Sequence, residues 1–401
     1  MAHFGDGLAV GPDLASAAKS AVAQACAPLE GHRPDLVCFF VSGSDPQEVE
    51  AAGCRVMELS GAGTTLGCSA EGVIGDGQGV ELSSAVSVWA AVLPDVRATP
   101  FHLDARSEPD HEDGSLLAGM PEGARDETVA LLLADPATFP IRAFIDRSHE
   151  ALPGLPLVGG LVSSEQGVDG HRLFLQGKLL DGGAAGVLLG GDLSLRTVVS
   201  QGCRPVGPPM TVTKAEGNVI HELAGRPALT KLEEVVEDLP SGDRSLIRPA
   251  ILLGIAMNEY ADWHECGDFL VRSVVGADGE QGAVAIAEPV EAGSTVRMHV
   301  RDACTADAEM DQLFARFHAD PAYRPAEGAL LFSCNGRGSI LFPSACHDVQ
   351  AVRRGLDVTK VAGFFAAGEI GPVGGRNYLH GHTACVVAFG HRPYESEEVS
   401  D

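Results

Sequence analysis

A chain of 401 residues, 45% of them hydrophobic, has the apolar content for two or three packed domains and excludes a disordered or fibrous class. Its 28 Lys+Arg stand against 55 Asp+Glu, and the resulting net charge of −27 repels phosphate backbones and anionic lipid, so no nucleic acid and no membrane is expected as a partner. Ten scattered cysteines with no CxxC pair read as reduced thiols of a cytoplasmic protein, and neither an export leader nor a membrane-length apolar run is signalled.

In chain order, Asp13 to Cys26 is alanine-rich and helix-compatible, and Leu36 to Val41 reads as a strand followed by a helix from Pro46 to Ala52. The glycine-dense segment Gly61 to Gly79 precedes a strand at Ala85 to Leu93. Thr128 to Ala134 reads as a strand that ends at Asp135 and Pro136, with a helix over Phe139 to Glu150. Gly154 to Gly170 is loop-like, and Arg172 to Leu175, Ala185 to Leu189 and Thr197 to Gln201 read as short strands. A helix is expected at Asn218 to Leu223 and another after Pro227, where Leu229, Leu232, Val235, Val236 and Leu239 recur at helical spacing.

Strands are expected at Ile251 to Met257, Phe269 to Val275, Val284 to Ala287 and Thr295 to Val300, then a helix at Ala306 to Phe317 and a strand at Ala329 to Ser333. The order of elements implies a mixed α/β (α+β) fold. Asp348 to Leu356 is helix-compatible, and Thr383 to Phe389 reads as a buried strand. Between them lies Gly363 to His382, GFFAAGEIGPVGGRNYLHGH, too glycine-rich for a stable helix or a well-packed strand and read as a Gly-shaped loop approaching the core. Gly67, Ala70, Gly72, Ile74 and Gly75 recur at the spacing of Gly363, Ala366, Gly368, Ile370 and Gly371, which suggests two related modules, each presenting a Gly-rich loop.

Polar groups on glycine-permissive backbone are what a small-ligand site needs, and several stand out. Asn335 and Arg337 follow a strand, Asn offering donor and acceptor and Arg a planar fork for a carboxylate or phosphate. Glu369, costly if buried unpaired, is expected to pair with Arg376 or with a ligand's amine. Arginine, asparagine and glutamate together suit a zwitterion such as an amino acid. Cys203 and Arg204 after their strand, with Asn377 and His380, complete the candidate ligand set.

Cys334 terminates a strand and is the candidate nucleophile of an alternative thiol-dependent enzyme, with His347, His380 or His382 as base. His380 and His382 would share a face of an extended chain and so form the alternative metal pair, with Tyr378 beside them. No third ligand is identifiable, so no metal is expected. No Walker pattern occurs and no GxGxxG sits in a βαβ context, which argues against a nucleotide site.

SQGCRPVG (Ser200 to Gly207), GRPAL (Gly225 to Leu229), LLFSCNGRG (Leu330 to Gly338), GFFAAGEIGPVGG and HGHTA (within Gly363 to Ala384) together resemble the FIST family; GCSAEGVI, FLVRSVVGAD and VRDA fit as well. The resemblance runs from about residue 30 to 390. It implies a helical lead-in at 1–29, a FIST N-terminal module at 30–218, a FIST-C module at 219–390 and an acidic tail at 391–401. It also implies an intracellular sensory protein of signal transduction that binds a small metabolite between its Gly-rich loops. Other members carry kinase, cyclic-dinucleotide or F-box regions. This chain has no room for such an output domain, so signalling would pass through a separate protein such as a histidine kinase. Haem, as in a nitric oxide sensor, is the alternative cofactor that the family resemblance leaves open.

Overall fold

Strands buried on both faces need cover on both sides, and three apolar runs of this chain obtain it the same way, each as the first strand of a parallel strand–helix–strand unit. The computed structural model describes residues 2–104, 117–247, 251–259, 267–320 and 325–390; the acidic tail and Cys266 lie outside them. The chain divides into two compact units. Unit 1 comprises Met1–Val199, Leu313–Leu379 and Thr383–Asp401, and unit 2 comprises Ser200–Gln312 with His380–His382. The expected boundary at residue 219 therefore lies within unit 2.

The first part of unit 1 runs β1 (His3–Val10), α1 (Leu14–Cys26), β2 (Leu36–Ser42), α2 (Pro46–Ser60), β3 (Thr64–Ser69), the hairpin β4 (Gly72–Gly75) and β5 (Gln78–Glu81), and β6 (Ala85–Val92). Asp13 caps α1 by accepting from Ala15 N and Ser16 N, and Asp45 with Pro46 starts α2, which Gly61 ends in the left-handed region. The N-terminal lead-in is thus a strand as well as a helix: β1 pairs along its length with β6. The second part repeats the plan with β7 (Val96–Leu103), β8 (Val129–Ala134), α3 (Ile141–Ala151), β9 (Leu157–Leu161), the hairpin β10 (Leu173–Leu175) and β11 (Lys178–Leu180), and β12 (Ala184–Gly191).

A third copy begins at β13 (Ser194–Ser200) and is interrupted by unit 2. The interruption contains β14 (Cys203–Glu216), β15 (Val219–Leu223), β16 (Arg226–Pro227), α4 (Ala228–Asp238), α5 (Ser241–Ile247), β17 (Leu252–Ala256), β18 (Phe269–Asp278), β19 (Ala283–Ile286) and β20 (Thr295–Arg301). After α6 (Ala303–Ala319), the third copy resumes with β21 (Gly328–Cys334), α7 (Gly338–Leu341), α8 (His347–Leu356), β22 (Val361–Ala366), the hairpin β23 (Glu369–Val373) and β24 (Arg376–His380), and β25 (Ala384–Gly390).

The three copies exchange their hairpins in a closed ring. Sheet order is β1-β6-β2-β3-β10-β11 in the first, β7-β12-β8-β9-β23-β24 in the second and β13-β25-β21-β22-β4-β5 in the third. Each sheet therefore ends in a hairpin that belongs to another copy. One face of every sheet contributes to a shared core, in which Phe40 stacks on Phe364 at 4.9 Å and Trp89 lies 5.0 Å from Phe389. Helices α1 and α2 cover the other face of the first sheet and α3 that of the second.

The mixed α/β expectation holds, and the five-residue echo marks real structural equivalence between β3–β4 and β22–β23. Three expectations are corrected. Leu157–Leu161, inside the segment Gly154 to Gly170 read as loop-like, is the buried strand β9. The segments around Gly67 and Gly363 are buried strand rather than loop, because these glycines lie directly opposite a partner in a parallel pair with no room for a side chain. Within Asn218 to Leu223, Val219–Leu223 is strand β15 rather than helix. Gly217, at φ +57°, closes a two-residue turn that sends the chain back along β14, with Glu216 opposite Val219.

Unit 2 is a seven-stranded sheet in the order β14-β20-β17-β18-β19-β15-β16. Leu232 and Val235 of α4 pack on Val212, Ile220 and Val284.

Candidate functional site

Parallel strands bring their carboxyl ends to one edge, where the following loops gather polar side chains. In the third copy this edge holds Ser333, Cys334, Asn335, Arg337, Asp348, Glu369 and Thr383. The main chain turns tightly there: Asn335 N donates to Ala366 O and Arg337 N to Cys334 O.

Arg337 is wholly buried and its fork closes on Asp348, with Nε 2.7 Å and Nη2 2.9 Å from the two carboxylate oxygens. Ser333 Oγ donates to Asp348 at 2.7 Å, and His347 Nδ1 lies at 3.0 Å. Burial alone would raise the Asp348 pKa; the Arg337 charge and the bonds from His347, Arg337 and Ser333 more than offset it and hold the carboxyl well below its usual range.

Glu369 is also wholly buried, and its Oε2 accepts from Thr383 N at 3.0 Å and Thr383 Oγ1 at 2.7 Å. Its Oε1 has no hydrogen-bonding nitrogen or oxygen partner, and the Cys334 thiol acts on the same carboxyl. Burial pushes the Glu369 pKa up to about 8, against the lowering effect of Thr383, Cys334 and Arg337, so the group keeps its proton at neutral pH.

Asn335, Arg337 and Glu369 are thus brought together, but not as a zwitterion clamp. The fork is committed to Asp348 and a neutral Glu369 offers no charge to an ammonium. Nor does Glu369 pair with Arg376, which is exposed with Nη2 3.1 Å from His149 Nδ1. Asn377 ties backbone instead, accepting from Leu157 N and donating to Leu155 O, each at 2.9 Å.

The remaining candidates lie in unit 2. Cys203 is buried among Leu252, Phe269 and Val271, and Arg204 is bonded to Asp243 at 2.6 Å and Asp302 at 3.2 Å. The Asp243 bond leads the effects that raise the Arg204 pKa. His380 ends β24 and is 4% exposed; His382 follows at φ +68°, so the chain is not extended across the pair and the premise for joint chelation fails. His382 Nε2 lies 3.3 Å from Ser273 Oγ, and burial drives its pKa down to about 4, assisted by Arg301 and Arg272. Among the described residues no cluster of three or more His, Cys, Asp or Glu forms a metal site.

A second group was missed by reasoning from sequence. Asp135 holds in the second copy the place of Cys334 in the third: Asp135 N, directly after β8, donates to Gly183 O, and Cys334 N, at the end of β21, donates to Thr383 O. Asp135 accepts from Thr138 Oγ1 at 2.7 Å, Ala137 N at 3.0 Å and His171 Nδ1 at 2.8 Å. Burial would raise the Asp135 pKa, but these bonds outweigh it and keep the carboxylate ionised. The bond to ionised Asp135 places a proton on His171 Nδ1, and in the neutral ring Nε2 is then the acceptor.

This pair lines a cleft of about 500 Å³ within unit 1, together with Thr138, Arg172, Glu50 and Asp181. The visible signal was an aspartate directly after the apolar run Thr128 to Ala134 with a threonine three residues on. Its partner His171, 36 residues away, gave none.

The sequence comparisons agree with this architecture. A model of the FIST N domain matches residues 35–226 and a model of the FIST C domain matches residues 228–372. The chain belongs to the FIST family. FIST domains are generally sensor domains of signal transduction. The chain is 39% identical over 388 residues to an uncharacterized protein of Mycobacterium tuberculosis strain H37Rv, covering 96% of this chain and 99% of that one. An uncharacterized protein of Mycobacterium bovis is 38% identical over 388 residues, covering 96% and 98%. The Asp135–His171 cleft falls in the FIST N match, whereas Cys334, Arg337, Asp348 and Glu369 fall in the FIST C match.

Proposed function

We propose that this FIST protein is a sensor that takes a small polar metabolite into the cleft beside Asp135 and His171. The observation that carries the reading is the cleft itself. About 500 Å³ lies within the range of small-molecule sites, and its wall sets an oriented imidazole among Arg172, Glu50 and Asp181. His171 Nε2 offers an acceptor to a ligand N–H or O–H, and the acidic side chains favour a ligand that carries an amine.

Binding is favoured over turnover by the chemistry of the wall. Asp135 and His171 have the base-and-orienter form, but the nearby hydroxyl of Thr138 donates to Asp135 and accepts from Gly183 N, so it is not poised as a nucleophile. The haem alternative gains no support from the two named histidines: His380 is buried, and His382 directs Nε2 to Ser273. Signal output through a separate protein, such as a histidine kinase, belongs to the same reading.

Calorimetry and thermal-shift screening against amino acids and polyamines test it. A metabolite that raises the melting temperature, and whose affinity falls by at least about tenfold in His171→Ala, is the expected result. A ligand whose affinity ignores both His171→Ala and Arg172→Ala would place binding elsewhere and overturn the assignment.

A further inference from the structure

The Cys334 edge is not part of the cleft reading, yet it carries unused chemistry. Cys334 is partly exposed at the end of β21, and Gly336 N donates to its sulfur at 3.4 Å. Behind it stands the wholly buried Glu369, whose Oε1 has no nitrogen or oxygen partner. Beside it, Asn335 Oδ1 is likewise buried and unpartnered. A partly exposed sulfur thus sits against a wholly buried carboxyl that its thiol hydrogen-bonds, next in the chain to a buried amide oxygen that has no partner.

We propose that Cys334 is a peroxide-reactive thiol, oxidised to a sulfenic acid that this edge of the third copy is built to hold. The sulfur attacks one oxygen of hydrogen peroxide, forming the S–O bond as the O–O bond breaks. The departing hydroxide takes a proton from Glu369 and leaves as water, while the thiol proton passes to Glu369. Sulfur loses two electrons and peroxide gains them, giving Cys334–SOH and water.

Each neighbour has a part. The Gly336 N–H steadies negative charge on sulfur, Glu369 relays the proton, and Asn335 Oδ1 accepts from the new sulfenic hydroxyl.

The protein supplies its own controls, because Cys54 and Cys304 are more exposed than Cys334. The full chain, reduced and then treated with limiting hydrogen peroxide in the presence of dimedone, is read thiol by thiol by peptide mass spectrometry. Cys334 is expected to label at least about tenfold faster than Cys54 or Cys304. Labelling that simply follows exposure, with Cys54 and Cys304 ahead, overturns the proposal.

Glu369→Gln is then expected to bring the Cys334 rate down to that of Cys54 without changing Cys54 itself, and an unchanged Cys334 rate removes Glu369 from the step. Asn335→Ala, a milder change at a partly exposed position, is expected to shorten the lifetime of the sulfenic acid. An unaltered lifetime takes Asn335 out of the assignment.

Discussion

Glu369 places a carboxyl where its charge is hard to tolerate, and that has a consequence for stability that can be measured. In the unfolded chain it ionises near the ordinary value of 4.5; in the fold it holds its proton up to about 8. Between those limits the native state binds more protons than the unfolded state, so stability falls as pH rises through the window and levels off above it. At about 1.4 kcal/mol per pKa unit, the loss across the whole window is on the order of 5 kcal/mol.

Asp348 works with the opposite sign. Its depressed pKa adds stability at neutral pH that is lost only below the ordinary carboxylate range, so the two effects occupy separate windows. Thermal melts between pH 5.5 and 8.5 are therefore expected to show a marked decline for the native chain and a much flatter profile for Glu369→Gln. Parallel profiles would mean that Glu369 is already ionised at neutral pH.

At the level of elements, the parallel pairs depend on glycine at one repeated register. A Cβ on Gly363 would lie 1.7 Å from Leu331 O, and one on Gly159 would lie 1.8 Å from Leu132 O; both glycines sit directly opposite those residues in their strand pairs. Backbone cannot yield locally in the middle of a sheet. Gly363→Ala is therefore expected to destabilise unit 1 by at least about 2 kcal/mol in urea titrations, whereas Gly374→Ala, in open space in the hairpin turn, strains only its own left-handed backbone. Equal loss in the two variants would show that contact at Gly363 relaxes easily.

The same glycines explain what was legible. Apolar runs such as Leu36 to Val41 announced their strands because every residue in them is buried. Gly67 and Gly363 revealed the repeat but disguised its nature, since composition alone cannot separate a glycine in a loop from one pressed against a neighbouring strand. The candidate site divided similarly. Asn335, Arg337 and Glu369, grouped by residue type on Gly-rich backbone, do lie at one edge, but Asp348, which occupies the Arg337 fork, and His171, which completes the cleft, are long-range partners that no local pattern signals.

On the scale of unit 1, the ring of exchanged hairpins joins what the sequence presents as successive segments. The hairpin β4–β5 completes the third sheet, β23–β24 the second and β10–β11 the first, and their inner faces meet in one core around Phe40, Trp89, Phe364 and Phe389. No copy can open fully without stripping an edge from another sheet and exposing the common core. Hydrogen exchange under native conditions is the direct probe, because it separates local opening from global unfolding. Amides of the central strands β2, β8 and β21 are expected to share one opening free energy and to lose it together as urea is added. If β21 opened well before β2 and β8, the copy that carries both the interruption and the Cys334 edge would be an independent folding unit, and the exchanged hairpins would be docking contacts rather than the links that make the three sheets fold as one.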